Sequence, residues 1–132
     1  MVNFLNMQVG SSLLNYSNLE KRILGIKIVT DQISNSRYIA TNKSDEVMAD
    51  LKRLGVFERV FSGKNFHLQI VQRAEDLLQI YAFENELTEE HIDILWEASQ
   101  TDETAKIEIF KMIGDCAKDM AEEIVDGFVK KV

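Results

Sequence analysis

Phe66-His67-Leu68-Gln69-Ile70-Val71-Gln72-Arg73-Ala74-Glu75-Asp76-Leu77-Leu78-Gln79-Ile80-Tyr81 decides the fold class. Its apolar set, Phe66, Ile70, Val71, Ala74, Leu77, Leu78 and Tyr81, advances in steps of three and four residues. Such steps place one stripe on one face of a helix. Gln69, Gln72, Arg73, Glu75, Asp76 and Gln79 fill the opposite face. The same period recurs in Leu19, Ile23, Ile26, Val29, Ile33 and in Ile107, Phe110, Ile113, Ala117. No stretch sustains the two-residue alternation of a strand, so the chain reads as all-α.

The punctuation between these stripes sets helix ends. Ser17-Asn18-Leu19-Glu20 has capping-box form, with Ser17 accepting from the amide of Glu20. The helix it opens should run from about 18 to 35. A less regular helix over about 2–15 precedes it, with Phe4, Leu5, Val9, Leu13 and Leu14 as its apolar residues. Asn42-Lys43-Ser44-Asp45-Glu46 opens a third helix, because a Ser cap and acids suit the positive end of the helix dipole. Gly55 is a left-handed stop after Leu54. Val56–Phe61 forms a short helix that ends before Gly63. A long helix then covers Phe66 to Glu84 and breaks at Asn85-Glu86. Thr88 caps a helix to Ser99, and Asp102-Glu103 opens one to Lys118. A last helix spans Met120 to Lys131, where Lys130 and Lys131 complement the negative dipole end. The expectation is thus seven or eight helices joined by short connections, with antiparallel neighbours.

Composition bounds the class of protein. The 132 residues suit one domain, and area scaling gives about 7,000 Å² folded against about 22,000 Å² extended. That difference supports a core without disulfide or metal staples. Hydrophobic content of 45% beside 28% charged residues argues against disorder. Lys plus Arg is 15 against 22 Asp plus Glu, a net charge of −7 that opposes non-specific nucleic-acid binding. No apolar run is long enough to span a bilayer, and Met1-Val2-Asn3-Phe4-Leu5-Asn6 is unlike a signal peptide. One cysteine, Cys116, excludes an internal disulfide and fits a reducing, cytoplasmic compartment.

Chemistry-bearing residues are few. Cys116 lies in Met112-Ile113-Gly114-Asp115-Cys116-Ala117, a helical context whose Asp115 opposes thiolate formation. It reads as a small core residue. His91 reads as a solvated first-turn residue and His67 as a packing or capping residue at a helix start. Two histidines without H-E-x-x-H or C-x-x-C spacing make no zinc site. Gly10, Gly25, Gly55, Gly63, Gly114 and Gly127 are scattered singly and form no phosphate loop. Lys52, Arg53, Arg59 and Lys64 are interleaved with acids and read as a solvated face. Trp96 reads as core, with a groove-lining anchor for a partner as the sharper alternative. The expected catalytic, cofactor and metal sites are therefore none.

Amphipathic helices starting near 19, 66 and 104 are about 47 and 38 residues apart, close to the armadillo and HEAT periods of roughly 40–47. Both stacked repeats and an irregular bundle fit that pattern. Two further segments narrow it. The run Phe66 to Ala74, followed by Leu87-Thr88-Glu89-Glu90-His91-Ile92-Asp93-Ile94-Leu95-Trp96-Glu97-Ala98-Ser99-Gln100, resembles a segment of the very large ubiquitin-specific proteases of the fat-facets type. Upstream, Ser17-Asn18-Leu19-Glu20-Lys21-Arg22-Ile23-Leu24-Gly25-Ile26 is similar to their Leu-Glu-Lys-Arg-Leu-x-Gly helix, in the same order. The resemblance spans about residues 15–115. It implies an armadillo-like array upstream of a protease domain, with protein partners or ubiquitinated substrates of the parent enzyme.

The family's Cys box and His box have no counterpart here, and Cys116 matches neither. No catalytic role carries over to any residue. The resemblance implies a single non-catalytic scaffold domain over 1–132, a fragment of a much longer chain. A fragment of an array would expose Phe4, Leu5, Phe128 and Val129 and self-associate. The competing readings are a stand-alone helical adaptor unrelated to deubiquitination, and a small enzyme using His67 or His91 as base beside a carboxylate.

Overall fold

The structure, a computed structural model, describes residues 4–39, 43–62 and 66–132, with side chains placed over 5–35, 45–62 and 66–132. Nine α-helices and no strand lie among the described residues: α1 Phe4–Leu13, α2 Leu19–Ile39, α3 Lys43–Leu54, α4 Val56–Phe61, α5 Leu68–Val71, α6 Glu75–Phe83, α7 Glu89–Ser99, α8 Glu103–Cys116 and α9 Glu122–Val129. A turn of 3-10 helix over Ala117–Asp119 follows α8.

The extra helix comes from the deciding stretch, which is two helices rather than one. Arg73 N–H donates to Ile70 O at 3.1 Å and Ala74 N–H to Val71 O at 3.0 Å. These i→i+3 bonds make a tight joint between α5 and α6. A 3-10 turn keeps residues three apart on one side, so Ile70, Val71, Ala74, Leu77, Leu78 and Tyr81 all stay buried across the break. The apolar stripe is blind to such a joint. Arg73 Nη1 donates to Gln69 O at 2.7 Å and satisfies one of the carbonyls that α5 leaves open.

Most helix ends follow their local signals. Gly55, at φ 63°, turns the chain from α3 into α4 in a single residue. The Arg59 guanidinium then bonds Leu54 O at 3.0 Å, the last carbonyl of α3. Asn85, at φ 57°, ends α6 in a Schellman motif: Glu86 N–H reaches Tyr81 O at 2.9 Å and Asn85 N–H reaches Ala82 O at 3.1 Å. Thr88 and Asp102 cap α7 and α8. The cap of α2 is Asn18, not Ser17: α2 begins at Leu19, and Lys21 N–H donates to Asn18 Oδ1 at 3.0 Å. The opening of α3 at Asn42 and the end of α4 at Gly63 fall outside the described residues, as does Lys64.

Packing runs as a row. The α2 helix lies against α5 and α6, which in turn lie against α8. The other helices flank this row: α1 and α3 on α2, α4 against α3, α5 and α7, and α7 against α8 and α9. One apolar core runs through all of it, built around Phe57, Phe61, Leu77, Leu78 and Tyr81. Among the described residues, no buried side-chain nitrogen or oxygen lacks a hydrogen-bond partner. None of the described helices is long and apolar enough to cross a membrane.

The α1 and α2 helices cross antiparallel, with Gly10 against Gly25 and Leu14 O bonded to Arg22 Nε at 3.1 Å. A Cβ built on Gly25 would sit 2.7 Å from Gly10 O. Paired glycines therefore let two backbones touch, a role unlike the scattered single glycines read from the sequence. At the other end, α7 and α9 also run antiparallel: Lys131 Nζ pairs with Asp93 Oδ1 at 2.7 Å, and the Phe128 ring meets Trp96 at 6.0 Å.

Candidate functional site

The residues with chemical potential lie in separate places. Cys116 is buried in the core at the end of α8. His67 caps α5, its Nδ1 accepting from Gln69 N–H at 3.2 Å. No group of three or more His, Cys, Asp or Glu side chains among the described residues is arranged to hold a metal. At the head of α6, Glu75 shares a hydrogen bond with Asp115. Burial first, then that second carboxyl, holds Glu75 above the usual carboxylate range, while Lys111 opposes the shift. This pair ties α6 to the end of α8.

His91 departs from its sequence reading. It is not a solvated residue: only 13% of its side chain is exposed. Its ring lies 4.5 Å from Phe57 and edge-on to Tyr81 at 5.1 Å, centroid to centroid. Those rings arrive from two other helices, α4 and α6. The Tyr81 phenol is itself pushed above its ordinary pKa, chiefly by burial. Around the imidazole edge stand Glu58, Lys52 and Glu86, the last two joined as an ion pair. The basic set read as a solvated face is in fact partly engaged, since Arg53 also pairs with Asp50 at 3.4 Å.

Two surfaces could meet another molecule. One is a shallow groove of about 280 Å³ between α7 and α9, floored by Ile92 and Ile124 and rimmed by both signs of charge (Glu89, Asp93, Glu123, Lys130, Lys131). Trp96 does not line it. Its half-buried indole packs on Phe128, which also meets Phe110 at 5.4 Å. Phe128 is thus buried and not part of an exposed terminal face, although Val129 beside it is exposed. The Phe4 side chain lies outside the described residues.

The second surface is the outer side of the α1–α2 pair. Leu5, Val9, Tyr16 and Leu24 are exposed there by 64, 45, 48 and 49%. Half-buried Leu13 and Ile28 lie at the glycine crossing between the two helices. Residues 1–18 contain no charged side chain, so every charge of this acidic chain lies beyond them. At the edge of the patch, Lys21 stands over the Tyr16 ring at 4.8 Å. An apolar stripe whose α1 part carries no charge is, on a charged protein, a contact surface in waiting. Its signal in the sequence is a run of eighteen residues without a charge.

Comparison with known proteins supports the link to ubiquitin-specific proteases, without the fat-facets type or the armadillo-like array. The chain is 29% identical over 92 residues to ubiquitin carboxyl-terminal hydrolase 34 of Homo sapiens, and equally to that of Mus musculus. These matches cover 62% of this chain but only 3% and 2% of the relatives. Ubiquitin carboxyl-terminal hydrolase puf of Drosophila melanogaster is 36% identical over 58 residues, 44% of this chain and 2% of its own length. No family model and no solved structure matches. The chain is therefore similar to a small region of very long ubiquitin carboxyl-terminal hydrolases.

Proposed function

We propose that this chain is a non-catalytic interaction module, a short length of an armadillo- or HEAT-like helical array in a large deubiquitinating enzyme. The similarity to a small region of ubiquitin carboxyl-terminal hydrolases carries this reading. The row of α2, α5–α6 and α8 supports the array, because its members begin near the positions whose spacing suggested a repeat. In such arrays each unit buries its neighbour's face and the assembled surface binds other proteins. A non-catalytic role is supported by what the nucleophile and bases do here. The Cys116 thiol is packed in the core, and both imidazoles accept backbone N–H groups at helix starts.

In this reading the apolar α1–α2 face, free of charged side chains on α1, stacks against a preceding helical unit of the same polypeptide. Lys21, beside Tyr16, reports on that contact. Amine crosslinking of the native protein followed by mass spectrometry is expected to join Lys21 to a helical segment of the same, longer polypeptide. Lys21 joined only to residues of 1–132 would contradict the stacking. Release of ubiquitin from a fluorogenic ubiquitin substrate by the purified chain would contradict the non-catalytic role.

A further inference from the structure

We infer that His91 is a proton-operated latch at the head of α7: a proton on Nδ1 removes the acceptor that holds Thr88 and loosens α7 from α4. The inference stands on geometry and is independent of the array reading. Thr88 N–H donates to His91 Nδ1 at 3.0 Å, while His91 N–H reaches Thr88 Oγ1 at 3.4 Å. This is a capping box in which an imidazole replaces the usual Glu or Gln at the third helical position. An imidazole nitrogen that accepts an N–H has no proton of its own. The ring is therefore neutral, with its proton on Nε2, which faces Glu58 Oε1 at 3.9 Å.

Protonation would set two donors against each other across 3.0 Å; Thr88 Oγ1, 3.2 Å from Nδ1, can take the new proton, but the Thr88 N–H is left without its acceptor. It would also place a charge beside the Phe57 and Tyr81 rings, where little water can reach it. The charged groups around the ring act in both directions. Glu58 from α4, Glu90 on α7 and Glu86 from the α6–α7 loop favour the cation, and Lys52 from α3 disfavours it. Burial is the largest influence, and the balance holds His91 below its ordinary value of 6.5. A histidine depressed in this way gives stability that is present in full above pH 6.5 and is lost as the pH falls through its folded pKa. Neutral pH thus keeps the latch shut, and acidification opens it.

The same ring also holds the seam. Glu58 and Phe57 sit on α4, so the imidazole touches the helix that packs on α7 while it caps α7 itself. A Glu or Gln there could cap but would not titrate in this range. The substitution His91→Gln separates the two roles. It keeps a capping-box acceptor and removes the proton switch.

The test is nuclear magnetic resonance on the ¹⁵N-labelled full chain between about pH 7.5 and about pH 5, the range in which histidines switch. At neutral pH the Nδ1 resonance should be that of an unprotonated nitrogen. On acidification the Thr88 amide should lose its protection from exchange, after correction for the intrinsic rate, in step with the His91 titration. In His91→Gln that loss should vanish. Should His91→Gln not fold, Glu58→Gln serves instead: removing an acid that favours the cation should move both the His91 titration and the loss of Thr88 protection to lower pH. A proton on Nδ1 at neutral pH, Thr88 protection that does not vary with pH, or the same acid-induced loss in His91→Gln would each overturn the latch.

Discussion

Replacing Gly25 by alanine sets two effects of known sign against each other. Gly25 lies inside α2, where a glycine-to-alanine change alone should stabilise a helix by about 1 kcal/mol. Against this, the new Cβ would lie 2.7 Å from Gly10 O, 2.9 Å from Leu13 Cβ and 3.1 Å from Leu14 N. Two of those atoms are backbone and the third is fixed directly to it, so no side chain can swing aside. The α1 helix must move bodily, and overpacking of this kind costs about 1–3 kcal/mol. The helix must also carry Met7 and Leu14, both fully buried, away from their seats. The upper part of that range applies, and the net loss should be about 1–2 kcal/mol. Gly114, in α8, is the control. A Cβ there meets nothing within 4 Å, so Gly114→Ala should gain about 0.5–1 kcal/mol. Thermal unfolding followed by circular dichroism reads both variants, at about 3–5 °C per kcal/mol for this chain length. Midpoints should move down for Gly25→Ala and up for Gly114→Ala. If Gly25→Ala is as stabilising as Gly114→Ala, the close α1–α2 crossing is wrong.

Further substitutions probe the other elements. Asp102 Oδ1 accepts Ala105 N–H at 2.7 Å, so Asp102→Ala should cost about 1 kcal/mol in urea unfolding; an unchanged midpoint would remove the cap from the account. Asn85 holds φ 57°, so Asn85→Ala should cost about 1 kcal/mol while Asn85→Gly costs nothing. Equal losses in both would point to the Asn85 side chain instead of the backbone. The isolated chain should self-associate at high concentration through its α1–α2 face. Val9→Glu should abolish this in analytical ultracentrifugation, and a clean monomer for the unsubstituted chain would refute it.

How far the fold could be read from the sequence depended on whether its cause was local. Thr88, Asp102 and Gly55 act on amides or dihedrals within a few residues, and each is where the sequence placed it. The cap of α2 slipped by one because Ser17 and Asn18 are both good caps, and only the start at Leu19 decides between them. The joint between α5 and α6 carries no glycine, proline or side-chain cap, and Ala74 leaves no mark. Only the acids Glu75 and Asp76, in the first turn of α6, hinted at a new helix start.

The surroundings of His91 and Phe128 were illegible for another reason. Their partners, Phe57 and Tyr81 in one case and Trp96 and Phe110 in the other, come from different helices. Hydrophobic period says that a residue is buried, not which ring it meets. The α1–α2 face was half-legible. Leu5 was expected on an exposed face and is exposed, whereas Val9 was read only as one of the apolar residues of an irregular helix. Met7, Gly10 and Leu14 in fact take the inner side.

On the proposed reading these residues act as one length of a much longer deubiquitinating enzyme. An antibody raised against residues 1–132 tests it on a denaturing gel of source-cell lysate. A band far above 15.1 kDa is expected, in keeping with relatives of which this chain covers 2–3%. A single band at 15.1 kDa would contradict it and leave a stand-alone helical adaptor.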